Sequence, residues 1–337
     1  MAIFAPGGAG SSAMTTLRSL RDLLAVVPYL LGFHPADSVV LLALRGREVI
    51  FQVRADLPPP VEVPDVSGQL AELVRRQDAT SAVVLGYGTG ASATPVVLGV
   101  RTAVEAIGVP VLDALRVADG RYWSYLCTEP SCCPPEGRPY DVSGSPAATE
   151  AVVAGYVALP SRAVLARRLD PVDGTARLAL AEAAGRADQR LLGLIERHPA
   201  DPGGAVLRAG RDAVDDAVLR QRSGLRLDDD RVAWLSLVLV HVPVRDHAWE
   251  SVGGDLGTHV NLWTDVVRRS APELTVAPAT LLSFAAWRAG EGALASIALS
   301  RALAADPEYE MARLMARALA GGLSPAEWPF ARSRGNA

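Results

Sequence analysis

Lysine is absent from this sequence of 337 residues, so all 33 of its basic residues are arginine. A Walker A loop needs lysine to reach the phosphates, and the absence therefore excludes a P-loop nucleotide-binding protein. It also excludes a protein kinase, which needs a strand lysine, and any enzyme that forms a Schiff base through its own lysine. Alanine, glycine, proline and valine are frequent, which indicates that the arginine bias follows from drift in a GC-rich genome.

Long hydrophobic runs are also missing. The longest are residues 23–33 and 234–244, and both are shorter than the ~20 residues of a membrane-spanning helix. The first follows Arg18 and Arg21 as in a signal peptide, but no small-residue cleavage site comes after it. We therefore expect a buried helix there, a cytoplasmic protein and no membrane partner. The net charge of −4 argues against a nucleic-acid partner, because proteins that bind nucleic acids usually carry a basic surface.

Strand and helix patterns alternate in the first part of the chain, after residues 1–14, whose small and glycine-rich composition predicts disorder. We expect Thr94 to cap a helix that begins at Pro95, and Asp119-Gly120 to form a hairpin turn. Together these patterns predict an α/β domain over residues 15–127, with helices packed on a mixed sheet. Its strands are expected at residues 38–44, 48–57, 81–87, 109–117 and 121–127.

Proline and glycine are frequent over residues 128–149, which predicts a loop or linker. Only helical patterns follow, so we expect an all-helical domain over residues 150–331 and a disordered tail at residues 332–337. Near the end of that domain, small residues and Pro307 are spaced as in the second half of a tetratricopeptide repeat (TPR). There is no second copy, which favours a TPR-like helical hairpin over a repeat array.

All three cysteines, Cys127, Cys132 and Cys133, fall within one short stretch. Zinc prefers four ligands, with thiolates usually paired as C-x₂₋₄-C. The C-x₄-C-C spacing would therefore need a tight turn and a distant fourth ligand, such as His34 or Asp141. Packing of the thiols against the sheet, a disulfide within the loop, and redox or catalytic use are the alternatives. A structural zinc is thus the one cofactor that this pattern suggests.

Polar residues at strand ends supply the candidate ligand-binding set. Residues 86–92 form a glycine-rich stretch between a strand and a helix, which is either an anion-binding turn or a flexible connection. Three polar residues precede the first strand: His34, Asp37 and Ser38. They either shape the turn into the strand or contribute to a site, although Ser38 is not part of a nucleophile-elbow motif. At the end of the second strand, Arg54 and Asp56 form either an ion pair or part of a polar site. The full set is His34, Asp37, Ser38, Arg54, Asp56, Tyr87, Arg121 and Trp123.

Four stretches carry a resemblance to a known family. They are VVPYLLGFHPADSVVLLAL at residues 26–44, DGRYWSYLCTEPSCCPPEGRPYD at 119–141, VPVRDHAW at 242–249 and LLSFAAWRAGEGALASIALSRALAADPEY at 281–309. They resemble the DUF4192 family of uncharacterised actinobacterial proteins. The resemblance spans nearly the whole chain and implies no activity. It directs attention to the strand ends and loops of the N-terminal half.

These observations predict a cytoplasmic binding or scaffold protein. Its C-terminal helices would contact a protein partner, and its α/β half would hold a small ligand or a structural zinc. The alternative is an enzyme whose polar site at the rim of the sheet combines the cysteines with His34, Asp37, Arg54, Asp56 and Arg121. Convergence of these groups in a deep pocket would favour the enzyme, whereas an apolar groove along the last helices would favour the binding protein.

Overall fold

The computed structural model describes residues 2–4, 19–142 and 144–325. Within that part of the chain, no helix is both long enough and apolar enough to cross a membrane. The described residues form two compact units. The first comprises residues up to 165 together with 290–293 and 319–325, and the second comprises residues 166–289 and 294–318.

The first unit is built on a mixed sheet with the strand order β1-β3-β2-β4-β5-β6-β7. Its strands are β1 (Ala2–Phe4), β2 (Ser38–Arg45), β3 (Glu48–Asp56), β4 (Ser81–Tyr87), β5 (Val111–Ala118), β6 (Arg121–Ser124) and β7 (Arg138–Pro139). The pair β4 and β5 is parallel, and every other pairing is antiparallel. The α/β class expected for this half is confirmed. Disorder was expected over residues 1–14, of which the structure describes only those in β1.

Hairpin turns and one crossover connection produce the strand order of the sheet. Asp119 and Gly120 both have positive φ, 49° and 70°, as the predicted two-residue turn between β5 and β6 requires. The parallel pair needs a crossover, which α3 (Gly90–Ala106) provides between β4 and β5. The predicted start of α3 is wrong. Thr89 is the cap, because its side chain accepts a hydrogen bond from the Ser92 amide at 3.2 Å, and Pro95 lies inside the helix.

Two layers of helices cover the sheet. One face packs against α2 (Val63–Arg75) and α3 through a core of aliphatic side chains from β2, β3, β4 and both helices. Each Val or Leu that is fully buried in such a core contributes about 1.5–3 kcal/mol. On the other face, Gln52 of β3 donates to the Leu30 carbonyl of α1 (Leu20–Leu31) at 2.9 Å. The α1 helix contacts α4 (Pro146–Val153), a helix that the sequence patterns did not predict.

The second unit is helical, as expected. Its helices are α5 (Arg162–Arg167, which begins in the first unit), α6 (Gly174–Arg197), α7 (Pro202–Arg222), α8 (Asp229–Val238), α9 (Val242–Ser251), α10 (Leu256–Arg269), α11 (Val276–Arg288), α12 (Gly292–Ala305) and α13 (Glu310–Ala320). Trp263 and Phe284 are fully buried among them. The helix pair expected near the end is α11 and α12, with Gly290 in the left-handed region between them. Its likeness to a tetratricopeptide repeat stays a prediction.

Candidate functional site: a cleft at the strand ends and a cluster of three thiols

A cleft of about 480 Å³ opens where β4 and β5 end, within the first unit. We call it the strand-end cleft. Ligand pockets usually measure about 300–1,000 Å³, and in α/β sheets they commonly lie beyond the carboxyl ends of the strands. The residues of the cleft that carry chemistry are His34, Asp37, Tyr87, Arg116, Asp119 and Tyr140.

The glycine-rich stretch forms one wall of this cleft as a turn that leads from β4 into α3. Gly86 lies in β4 where a Cβ atom would overlap Cγ2 of Val97, so glycine lets α3 approach the strand closely. Gly88 has a φ of 154° and leads into the cap residue Thr89. The α3 helix therefore begins at Gly90 on the wall of the cleft. A helix N-terminus carries a partial positive charge and amide donors that favour an anion.

Tyr87 is the buried polar residue of the cleft. The residue is only 8% exposed, and its hydroxyl has no hydrogen-bond partner among the described residues. Burial, together with nearby Tyr140, raises the pKa of Tyr87 well above its usual value. The hydroxyl is therefore neutral over the working pH range and is a hydrogen-bond donor buried beside the cleft.

Charged residues of both signs line the same cleft. Arg116 lies with its guanidinium carbon 3.3 Å from the ring centroid of Trp123, which holds the cation in a fixed position. Asp37 and Asp119 both adopt left-handed backbone conformations, with φ of 43° and 49°. A carboxylate accepts hydrogen bonds only. The cleft therefore offers a cation and a helix N-terminus to an anionic group, and carboxylates to hydrogen-bond donors.

The other residues before and along β3 do not line the cleft. Ser38 is fully buried in β2 beside Tyr87 and Asp56 in the strand register. Arg54 lies 2.6 Å from Asp56 in an ion pair, and it also donates to the Ala36 carbonyl at 3.3 Å. The Nε of Arg54 is buried without a hydrogen-bond partner in the described part of the chain. The sequence left two alternatives for Arg54 and Asp56, an ion pair or a polar site. Their contacts are those of an ion pair.

Arg121 and Trp123 hold the loop that carries the cysteines. Arg121 donates from Nη1 to the Gly137 carbonyl at 2.7 Å, and Trp123 donates from Nε1 to the Pro135 carbonyl at 2.9 Å. A Cβ atom at Gly137 would overlap the Trp123 ring, so the loop lies directly on the indole. Both side chains therefore bind backbone of this chain rather than line the strand-end cleft.

The three cysteines converge in space. Their sulfur atoms all lie within 4.8 Å of one another, and this cluster contains neither His34 nor Asp141 among the residues that the structure describes. All three thiols are free. A hydrogen bond from Cys133 lowers the pKa of Cys127, while burial and the neighbouring thiols raise the pKa of Cys133 to about 12. We call these residues the thiol cluster.

Two residues of the cleft were missed by sequence reasoning. Arg116 lies inside the apolar pattern of β5, and Tyr140 follows the cysteines in a proline-rich stretch. Neither position has a local motif that marks a site. The Asp119-Gly120 hairpin was the available signal, since antiparallel return of β6 places Trp123 beside Arg116.

A cleft on the last helices is lined by a mixture of apolar and charged side chains. A cleft of about 670 Å³ between α9 and α13 is lined by Trp249, Met311 and Leu314 but also by six charged residues: Arg245, Asp246, Glu250, Glu310, Arg313 and Arg317. A protein partner for these helices stays a prediction.

Comparison with known proteins identifies the family but no activity. No curated protein and no solved structure matches the chain. The family model described as "Domain of unknown function (DUF4192)" matches residues 21–326. That stretch contains the strand-end cleft, the thiol cluster and nearly all of the helical unit. The chain therefore belongs to the DUF4192 family.

Proposed function

We propose that this chain is a binding protein that holds a small molecule with an anionic group in the strand-end cleft. The Tyr87 hydroxyl is the observation that carries the proposal. Buried polar groups are nearly always hydrogen-bonded, and one without a partner costs about 1–3 kcal/mol. The hydroxyl is covered in the ligand-free chain, so we propose that a small movement of the Tyr87 ring on binding lets a ligand oxygen accept this hydrogen bond and remove the cost.

Two features favour an anion in the strand-end cleft. The α3 helix has 17 residues, and its N-terminus carries roughly half of an elementary positive charge. Arg116 adds a full positive charge, and its guanidinium can bind a phosphate or carboxylate through two parallel hydrogen bonds. Stacking on Trp123 limits the conformations of Arg116, so less entropy is lost on binding.

Two carboxylates limit which anions suit the cleft. Asp37 and Asp119 line it, and they would repel a molecule whose anionic groups lay next to them. They would accept hydrogen bonds from hydroxyl or amino groups. The ligand class that suits the whole cleft is therefore a phosphorylated or carboxylated molecule with hydroxyl or amino groups away from its anionic end.

The distribution of the other candidates favours binding over catalysis. Of the residues that the alternative enzyme site would combine, only His34 and Asp37 line the cleft. Arg54 is engaged with Asp56, and Arg121 is engaged with the Gly137 carbonyl. An enzyme whose site includes the thiols is the second candidate, and turnover of a bound ligand that is lost in cysteine variants would favour it.

The cellular setting that we propose is the cytoplasm of an actinobacterium, where the helical unit contacts a protein partner through its TPR-like end. Three free cysteines suit a reducing compartment. The exclusively arginine basic residues suit a GC-rich genome. Fractionation of a cell that expresses the chain tests the compartment.

Thermal denaturation with three probes tests the ligand proposal. The probes are inorganic phosphate, citrate and glycerol 3-phosphate, which combines a phosphate with two hydroxyls. A ligand at 100 times its Kd stabilises the folded protein by about 2.7 kcal/mol. We expect glycerol 3-phosphate to raise Tm more than phosphate does, because it also reaches the carboxylates.

Two matched variants test whether the probes bind in the strand-end cleft. Arg116→Gln removes the cation from the cleft. Arg101→Gln removes the same charge near the C-terminal end of α3, where Arg101 pairs with Glu105. We expect Arg116→Gln to weaken binding of glycerol 3-phosphate at least tenfold and Arg101→Gln to leave it unchanged. Equal Tm shifts in both variants, or no shift with any probe in the native chain, would refute the proposal.

A further inference from the structure

The backbone of the cysteine loop brings two adjacent thiols to the same side. The amides of Cys132 and Cys133 both donate to the Glu129 carbonyl, at 3.0 and 2.7 Å. On an extended strand, neighbouring side chains point in opposite directions. This tight turn removes that obstacle, so both sulfur atoms lie within 4.8 Å of Cys127 and of each other.

The third thiol is held by the end of β6. The Ser124 hydroxyl accepts hydrogen bonds from the amides of Leu126 and Cys127, at 3.2 and 3.1 Å. The same hydroxyl donates to Asp113 at 2.7 Å. Cys127 is therefore fixed from β5 and β6, independently of the turn that carries the other two cysteines.

The far side of the loop is fixed as well. Arg121 and Trp123 bind the carbonyls of Gly137 and Pro135, and Gly137 lies on the Trp123 ring. A loop that is held on both sides loses little entropy when its thiols bind an ion. The sheet thus presents the thiol cluster as a preorganised set of donors.

The spacing of the sulfur atoms suits one metal ion. With Zn–S bonds of 2.3 Å in a tetrahedron, sulfur ligands lie about 3.8 Å apart. The observed limit of 4.8 Å requires closure by only about 1 Å to reach that spacing. A disulfide requires approach to about 2.05 Å and uses two of the three thiols, which leaves one unpaired.

A cationic side chain offsets the charge of such a centre. Three thiolates and one Zn²⁺ carry a net charge of −1. Nη1 of Arg138 lies 3.7 Å from the sulfur of Cys132 and 3.4 Å from its carbonyl oxygen. Cys132 is exposed, so a fourth position on the ion would face solvent and accept water or an external ligand.

We infer that Cys127, Cys132 and Cys133 bind one zinc ion through three thiolates, with the fourth position open to solvent. Soft thiolate ligands select zinc over magnesium or calcium, which prefer oxygen. This site is separate from the proposed ligand cleft, and its test does not depend on any ligand of that cleft.

Metal analysis of the full chain tests the inference. After purification without chelator and desalting, we expect about one zinc per chain by inductively coupled plasma mass spectrometry. Chelation should remove the ion, and Co²⁺ added to the stripped chain should produce thiolate-to-cobalt charge-transfer absorption in the near ultraviolet. Bound zinc should also protect all three thiols from alkylation. These measurements on the native chain remain decisive if a variant fails to fold.

Single variants assign the ligands. Cys127→Ser, Cys132→Ser and Cys133→Ser should each weaken Co²⁺ binding at least a hundredfold, while Ser131→Ala in the same turn should bind as the native chain does. Three results would overturn the inference. The first is three reactive thiols with no zinc and no cobalt absorption. The second is a single reactive thiol in the metal-free chain, which would identify an internal disulfide, and the third is metal binding that survives all three substitutions.

Discussion

The guanidinium carbon of Arg116 lies 3.3 Å from the centroid of the Trp123 ring, and these two residues are partners in the register of β5 and β6. Arg116 lines the strand-end cleft, whereas Trp123 donates to the Pro135 carbonyl in the cysteine loop. The indole therefore connects the proposed anion site to the proposed metal loop. A cation–π contact of this kind contributes about 0.5–2 kcal/mol.

Substitution of Trp123 should separate its two contacts. Trp123→Phe keeps a ring for Arg116 but loses the donor to Pro135, so we expect a loss of about 1 kcal/mol in the free energy of unfolding. Trp123→Leu loses both contacts and should cost about 2–3 kcal/mol. Only the leucine variant should also weaken binding of glycerol 3-phosphate, by several-fold. Urea denaturation and ligand titration measure the two effects, and identical behaviour of both variants would contradict the assignment.

Tyr87→Phe should raise stability and lower affinity. The substitution removes a buried hydroxyl that has no partner among the described residues, so the ligand-free chain should gain about 1 kcal/mol. The same hydroxyl is the proposed donor to the ligand, and its loss should weaken glycerol 3-phosphate binding about fivefold to tenfold. Thermal denaturation with and without glycerol 3-phosphate measures both the stability and the affinity.

Tyr125→Phe is the matched control. The Tyr125 hydroxyl already forms a hydrogen bond with the Thr94 hydroxyl at 2.5 Å, so its removal should destabilise the chain. Destabilisation by Tyr87→Phe would show that its hydroxyl has a partner in the free protein.

Local patterns predicted most of the sheet because each strand carries its own signal. The strand expected at residues 81–87 is β4 with the same bounds, and the hairpin at Asp119-Gly120 is present. The start of α3 was wrong because Thr94 and Pro95 fit the local rules for a cap as well as Thr89 does. In the fold, the Thr94 hydroxyl bonds Tyr125 instead. Tertiary contacts decided between two equally good local signals.

The candidate site was only partly predictable because its members come from separate segments. His34, Asp37 and Tyr87 were chosen as polar residues at strand ends, which is where the sheet opens into the cleft. Arg54 and Arg121 satisfied the same rule but bind other groups of the chain. Whether a polar side chain faces a cleft or a neighbour depends on strand register and loop path, which residue type does not encode. The proximity of the three thiols likewise depends on the turn at Glu129.

Gly86→Ala should destabilise the first unit by crowding. A Cβ atom at this position overlaps Cγ2 of Val97 and lies 3.2 Å from Cβ of Ala93, so the substitution should cost about 1–3 kcal/mol. Val97→Ala creates a small cavity when made alone, but in the double variant the new methyl group fills that space. We expect the double variant to be more stable than the sum of the two single changes predicts, by 0.5 kcal/mol or more.

Gly90→Ala is the matched control for this series. A Cβ atom at Gly90 meets nothing within 4 Å, and at this first helical position alanine is favoured over glycine by less than the ~1 kcal/mol of a helix interior. Thermal denaturation should therefore show a small gain for Gly90→Ala. Additive losses in the Gly86 and Val97 double variant would mean that α3 shifts to relieve the overlap rather than pressing on Val97.

His259 should make the helical unit less stable in mild acid. The residue lies fully buried on α10, and its ring has only a weak contact with the backbone of Gly253, too poorly aligned to count as a hydrogen bond by geometry. Burial first, and then the nearby Arg222 guanidinium, lower the pKa of His259 from 6.5 to about 4. The Gly253 backbone and Asp255 oppose this shift, while Arg288 acts in the same direction as burial.

The sign of the effect follows from proton binding. Between pH 6.5 and about 4, the unfolded chain binds a proton at His259 and the folded chain does not. Stability therefore falls as the pH is lowered through this window, by at most about 3 kcal/mol. Urea denaturation of the native chain from pH 7 to 4, compared with His259→Leu, measures the difference between the two curves. The leucine variant cannot be protonated, so its stability should change less with pH. His198→Gln, at an exposed site, should follow the native curve. Parallel curves for the native chain and His259→Leu would show that His259 is protonated in the folded protein. The acid sensitivity would then have to come from carboxylates such as Asp228. Burial acts to raise the pKa of Asp228, but its hydrogen bonds with Arg231 outweigh burial and lower it.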